Sequence, residues 1–309
     1  MSIFSTTLNQ TLFLFGLIVI GYILVKTKVL SGDSASVLSK LENNVFIPAL
    51  VMKTFIENFT VERISSTWNL LVCSFLLLLI IIPFSILISK LATKDSYIQK
   101  IYIYGLSFSN FAFMGNAIVS SLFGDIFFEY LIFTLALWIL IYLWGVPRLL
   151  LFDSDKKQTL VENLKSFFNP MFISMLVGMI IGLIKIPIPN WIGSIIAVCA
   201  NCMSPVAMIL TGVAISFISL KDTFTSVKIY LISVVKLIIM PLLFIGVTYI
   251  LKLPSTVYIC SLCILAMPFG LNTIVIPSAA CKDTSVAAGL AVVSHLLSCI
   301  TIPVIFMMI

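Results

Sequence analysis

Two stretches of this chain place polar amides where the surrounding sequence is apolar. The first runs Ser107-Phe108-Ser109-Asn110-Phe111-Ala112-Phe113-Met114-Gly115-Asn116-Ala117, and the second Met267-Pro268-Phe269-Gly270-Leu271-Asn272-Thr273-Ile274-Val275-Ile276-Pro277. Asn110, Asn116 and Asn272 supply amide donors and acceptors without net charge. Pro277 has no N–H to donate and Gly115 has little helical preference, so a helix through either point is expected to break there. A broken helix turns the N–H groups of its first turn, with their positive partial charge, toward the gap. The chemistry this predicts is capture of a compact organic anion by amides and backbone N–H groups, with no arginine clamp.

Other residues could join that site. Lys236 is the sole basic residue well inside an apolar run, where a charge needs a partner or a purpose. It either balances carbonyls freed by a break or adds positive potential for an anion. His295 is the only histidine, and reads either as a packed hydrogen-bonding residue or as a proton relay. Asn44 lies four residues before Pro48, and Asn201 four before Pro205. Each amide either faces the site or satisfies carbonyls that its proline frees. Every acidic residue falls in a loop or at the end of a predicted span, so the membrane centre is expected to lack the carboxylate that many ion-coupled symporters use. Cys199-x2-Cys202 and Cys260-x2-Cys263 have zinc-like spacing but lie in apolar runs with no nearby histidine or carboxylate, where cysteine acts as a small apolar residue. No metal or cofactor is expected. Neither G-x-S-x-G nor H-E-x-x-H is present, which argues against an enzyme.

The elements that must position these residues follow from composition. Of 309 residues, 61% are hydrophobic and 10% charged, and the mean hydropathy is +1.21. Such a chain could not fold as one soluble domain without exposing a large apolar area. Apolar runs long enough to cross a bilayer as helices recur at 8–25, 42–57, 67–89, 100–122, 127–150, 167–185, 191–218, 226–250, 256–280 and 285–308. They are solid and not alternating, which disfavours a membrane barrel. The expectation is an all-α integral membrane protein of ten transmembrane helices. Residues 1–25 hold no lysine or arginine, so the first run reads as a span and not as a cleaved leader. Thirteen basic residues fall in loops after odd-numbered spans and four after even-numbered ones, which places the odd loops in the cytoplasm and both termini outside. The net charge of +6 is therefore an orientation signal, with no nucleic-acid partner implied.

The chain also reads as built twice. Pro48, Pro83 and Pro147 recur as Pro205, Pro241 and Pro303 at offsets of 157, 158 and 156 residues, and Asn44 recurs as Asn201 at 157. The longest polar stretch, 153–165, separates 1–152 from 166–309, each holding five predicted helices. An odd count sets the copies in opposite orientations, the inverted repeat of many secondary transporters. Matched interruptions in the fourth and ninth spans then mark the substrate site.

At these residues the chain resembles the auxin efflux carrier family, within the bile acid:sodium symporter-like superfamily. The matching elements are Ser109-Asn110, Phe113-Met114-Gly115 and Phe123-Gly124, then Asn169-Pro170, the run Asn201-x3-Pro205-Val206-Ala207-Met208-Ile209-Leu210-Thr211-Gly212, Lys236 with Pro241, and Met267-Pro268, Asn272 and Lys282-Asp283. The resemblance implies that helices 1, 2, 6 and 7 form a dimerising scaffold. Helices 3–5 and 8–10 would form a mobile transport domain around crossed, broken helices four and nine, moving like an elevator. It implies a homodimer in the cell membrane that carries mono- or dicarboxylates, with H+ or Na+ as candidate coupling ions. One departure stands out: where the family usually has proline, two residues after the fourth-helix glycine, this chain has Ala117. Whether helix four breaks at Gly115 and Asn116 without that proline stays open here. The alternative function is a receptor or lipid sensor that keeps the carrier fold without net transport.

Overall fold

The computed structural model describes residues 3–31, 33–151, 169–217, 226–279 and 282–309. The predicted linker 153–165 lies outside them. Among the described residues the chain forms twelve helical elements. They are α1 (Ile3–Lys26), α2 (34–58), α3 (Val61–Ala92), α4 (Ser96–Ser107), α5 (Phe111–Leu122), α6 (127–150), α7 (Pro170–Ile184), α8 (Asn190–Ser216), α9 (Val227–Leu251), α10 (Ser255–Leu265), α11 (Asn272–Ala279) and α12 (Ser285–Phe306). The predicted fourth and ninth spans are each seen as two helices, α4 with α5 and α10 with α11. Five helical stretches are long and apolar enough to cross a membrane outright: Thr67–Ala92, Gly124–Leu150, Asn190–Ser216, Val227–Leu251 and Ser285–Phe306. Large apolar side chains such as Leu79, Ile80, Leu91 and Ile250 are exposed along these helices. A multi-pass membrane protein presents such a surface to lipid, where helices satisfy their own backbone polar groups.

Local sequence sets the helix ends. The Asp95 carboxylate accepts from the N–H groups of Tyr97 and Ile98 at 2.8 and 3.0 Å and starts α4. Asn169 accepts from the Phe172 N–H at 3.0 Å, and Pro170 occupies the first helical position, where its missing N–H costs nothing. Lys185 and Lys252 close α7 and α9 in the left-handed region, at φ 56° and 49°. Lys28, just past α1, has φ 63° and precedes Lys185 by 157 residues, the spacing of the paired prolines.

Packing repeats that spacing. Helix α1 lies mainly on α8, and α2 on α7 and α8; α3 gathers α4 and α6, while α12 meets α9 and α1. A Cβ on Gly21 of α1 would strike the backbone carbonyl of Ile209 in α8, and a Cβ on Gly178 of α7 would sit 2.9 Å from the carbonyl of Met52 in α2. Gly178 follows Gly21 by 157 residues, and Ile209 follows Met52 by the same 157. Each half of the chain therefore presses a glycine of its first helix against the backbone of the other half's second helix.

The prolines are accommodated unequally. Pro48 and Pro241 follow π turns at Glu42–Phe46 and Val235–Ile239, and Pro147 lies within the π-wound segment Ile141–Leu150. Their partners Pro205, Pro83 and Pro303 sit inside plain α-helix. A π turn lets a carbonyl accept from the N–H five residues on, as the Glu42 carbonyl does from the Ile47 N–H and the Val235 carbonyl from the Met240 N–H.

Adding a methyl where two backbones touch must push the helices apart. Gly21→Ala and Gly178→Ala are each expected to destabilise the protein by about 1–3 kcal/mol, the usual cost of overpacking. Gly16→Ala and Gly246→Ala, where a Cβ meets nothing within 4 Å, are expected to leave it unchanged. Thermal unfolding of the four variants in detergent checks the contrast.

Candidate functional site

Both breaks meet at one point. Ser109 and Phe269 pair as a single antiparallel bridge, and the Asn110 N–H donates to the Pro268 carbonyl at 2.8 Å. The backbone of 108–110, between α4 and α5, thus crosses that of 266–271, between α10 and α11. Irregular backbone in a membrane protein persists only where its polar groups find protein or water. Here protein supplies the partners. The Ser109 hydroxyl donates to the Ile264 carbonyl at 2.6 Å, and the Phe269 N–H donates to the Ser294 hydroxyl at 3.1 Å. The Tyr130 hydroxyl donates to the Phe111 carbonyl at 3.0 Å. Thr273 donates to the Gly270 carbonyl at 2.7 Å. Gly105 leaves the space that the Phe269 ring fills.

The breaks lie upstream of the points that helical propensity marks. Gly115 is inside a π turn, Phe111–Gly115, with its N–H on the Asn110 carbonyl at 2.9 Å. Pro277 is buried within α11. The expectation that the helices part at Gly115 and Pro277 is therefore corrected to 108–110 and 266–271. The reason is physical: exchanging helical bonds for bonds between the two crossing chains is favourable only where those chains touch. Ala117, in place of the family's usual proline, is buried inside α5 and does not prevent the break.

Two further expected residues come together at the crossing. Asn110 is 2% exposed, and its Nδ2 lies 3.0 Å from Nε2 of His295. Asn272 opens α11 and donates to the Tyr104 hydroxyl at 3.3 Å. Both line a small crossover cavity of about 10 Å³, with Tyr104, Ser109 and Gly270. Asn116 is buried in α5. Lys236, 1% exposed, donates from Nζ to the Leu106 carbonyl at 3.3 Å, one turn before the break. Of the two readings of this lysine, the geometry matches the one that balances a freed carbonyl.

Two larger cavities flank α5. One, of about 140 Å³, reaches Ser39 and Asn43 of α2, Phe113, Tyr142 and Asn272. The other, of about 440 Å³, lies toward the opposite end of α2 and is lined by Lys53, Glu57, Asn58, Ala117, Ser120 and Asn201 among others. One helical turn, from Phe113 to Ala117, separates their linings. Asn201 thus faces a cavity but not the crossing. Asn44 does neither: it is exposed and donates to the Lys40 carbonyl at 2.7 Å on its own helix. Its neighbour Asn43 takes the cavity position, donating to the Ser39 carbonyl at 2.8 Å. The π turn at Glu42–Phe46 rotates the helix locally, which no periodicity in the sequence announces.

One acidic residue also departs from expectation. Helix α2 begins at Ser34, so Glu42 lies inside a helix and not at its end. It is fully buried, and both carboxyl oxygens lack a hydrogen-bond partner. The Lys282-Asp283 pair, by contrast, ties elements together at the surface: Lys282 donates to the Leu150 carbonyl at 3.4 Å, and the Tyr97 hydroxyl to the Asp283 carbonyl at 2.7 Å. The Asp283 side chain accepts from the N–H and hydroxyl of Ser285, which holds its carboxyl below the usual range.

Replacing Lys236 by methionine removes the donor to Leu106 and is expected to cost about 1–3 kcal/mol, the penalty of an orphaned buried carbonyl. Lys236→Gln keeps a donor and is expected to lose less. Unfolding midpoints of the two variants check the order, and equal values would detach Lys236 from the break.

The profile of a family described as membrane transport protein matches residues 6–306. No curated protein matches the chain.

Proposed function

Because the chain belongs to the membrane transport protein family, the auxin efflux carriers, we propose that it is a secondary carrier of small organic anions working by alternating access. The observation that carries this reading is the crossing at Ser109 and Phe269, where two broken helices bring Asn110 and Asn272 to one cavity. The first turns of α5 and α11 start at the same place and favour negative charge. Cavities toward opposite ends of α2 supply an approach from either side, and α5 stands between them.

The architecture proposed with it is a pair of inverted five-helix repeats, ten spans in all. The 157-residue spacing shared by Lys28 and Lys185, and by the Gly21–Ile209 and Gly178–Met52 contacts, supports that duplication. In this reading α1, α2, α7 and α8 are the scaffold of a homodimer. Elements α3–α6 and α9–α12 move as the transport domain, carrying the crossing across the cell membrane. Both termini face outward by the distribution of basic residues. Mono- and dicarboxylates are the proposed cargo, with H+ or Na+ as coupling ion.

The alternative, a receptor or lipid sensor without net flux, would draw support from Ala117 if the lack of proline there left the fourth span continuous. Since the break forms without it, that support lapses.

Reconstituted protein is expected to move radiolabelled succinate or acetate across proteoliposome membranes, with pH and sodium varied separately. Asn110→Leu and Asn272→Leu are expected to lower flux by roughly tenfold or more, since each removes polar contacts worth about 1.4 kcal/mol or above. Elution profiles should remain those of the folded protein, with unfolding midpoints lowered by no more than the loss of one buried hydrogen bond. Binding without flux across a broad panel of acids would overturn the carrier reading.

A further inference from the structure

His295 determines which end of the Asn110 amide faces the crossing. Its ring is buried in α12, with Nδ1 2.7 Å from the Ala291 carbonyl oxygen. A carbonyl only accepts, so Nδ1 carries the proton. In the neutral ring Nε2 then holds only a lone pair. Asn110 lies 3.0 Å from that lone pair and must present its NH2 to it. The amide is thereby fixed, and its Oδ1 is left buried with no hydrogen-bond partner on a side chain that lines the crossover cavity. An orphaned polar atom of this kind is a place where a ligand would find a partner.

The surroundings make the arrangement reversible. Helix α12 packs against α1, α8, α9 and α11, and Asn110 follows α4. The titratable groups on these elements are Tyr22 and Lys26, Cys199 and Cys202, Lys228, Tyr230, Lys236 and Tyr249, and Tyr97, Lys100, Tyr102 and Tyr104, with Cys299 on α12 itself. The crossing is also reached by α10, with Tyr258, Cys260 and Cys263, and by α6, with Tyr130 and Glu129; Glu129, the one carboxylate in this group, is paired with Arg63. Lys236, in the π turn that touches α12, is the buried cation among them. A positive charge on His295 would therefore lack a counter-charge until a substrate supplied one.

We propose that His295 is a positioning residue whose protonation reverses the polarity of the anion site. With the ring neutral, the Asn110 oxygen faces the cavity, an acceptor suited to a hydroxyl or an un-ionised acid. When Nε2 takes a proton from the compartment to which the site is open, it becomes a donor. The Asn110 amide then turns over, Oδ1 accepts from Nε2–H, and the NH2 group faces the cavity as a donor to a carboxylate. One proton enters with each carboxylate, no other bond changes, and both leave together. For a monocarboxylate the transported charge sums to zero. This rests on the reading of the crossing as an anion site.

Linkage makes the consequence measurable, since a proton that favours the anion is favoured by it to the same degree. Between about pH 6 and 8, where succinate and acetate stay almost fully ionised, their dissociation constants are expected to fall roughly tenfold per unit of acidification. In weakly buffered detergent solution, adding either acid to the unaltered protein is expected to draw about one proton per molecule bound, read with a pH-sensitive dye. His295→Gln is expected to keep binding but flatten the pH profile. Carboxylate binding without proton uptake, or an unchanged pH profile in a folded His295→Gln protein, overturns the switch alone. Failure of every carboxylate to bind the unaltered protein at any pH overturns the anion site, and the switch with it.

Discussion

The rest of the structure depends on a single backbone bond, from the Asn110 N–H to the Pro268 carbonyl. Within a bilayer, a helix that stops in mid-course exposes polar groups that water cannot reach, at several kcal/mol apiece. The crossing resolves this by making the two interruptions each other's partners. Side chains from three other elements complete the arrangement: Tyr130 from α6, Lys236 from α9, and Ser294 and His295 from α12, while Ser109 of the crossing reaches back to α10. The cavity at the centre is small because so little there is left unmet. Against that background the Asn110 oxygen stands out among the described residues as an unpartnered atom on a side chain that lines the cavity.

The helical, membrane-spanning character was legible in the sequence because hydropathy acts over long distances. The apolar runs coincide with the helices, and the two runs with polar centres are the two that break. What eluded the sequence was local position. Gly115 and Pro277 are where an isolated helix is weakest, yet the interruptions occur at Ser109 and Pro268, where two chains can bond to each other. Propensity describes one helix at a time, whereas the crossing is a property of two. Of the two readings of Asn44, facing the site or satisfying a carbonyl, its bond to Lys40 is nearer the second, and Asn43 was overlooked because a π turn changed the register within α2. Glu42 was read as a helix end because its neighbours Ser34–Leu41 are too polar to look like part of a span. His295 was read as a packed hydrogen-bonding residue or a proton relay, and it is packed and hydrogen-bonded. Its relation to Asn110, 185 residues away, could not be seen before the fold was known.

Polarity at the crossing is arranged in layers. Asn110 and Asn272 line the cavity, His295 and Tyr104 hold those amides, and Ala291 in turn fixes the His295 tautomer. An amide is a two-ended group, and in water either end serves equally well. Here the chain of contacts chooses the end. The arrangement presents a fixed donor and acceptor pattern, beside a buried lysine, Lys236, that is already committed to a carbonyl.

The unequal treatment of the paired prolines has a consequence for any motion in which the halves exchange roles. In each pair one proline accompanies a π turn, while its counterpart sits in regular α-helix. Unless the π turns moved to the partner prolines in the exchange, halves that differ in this way would not trade conformations at equal free energy. A difference of only about 1.4 kcal/mol would hold roughly ten molecules facing one side for each facing the other. The protein would then have a preferred resting orientation, written into its helices before any gradient acts on it.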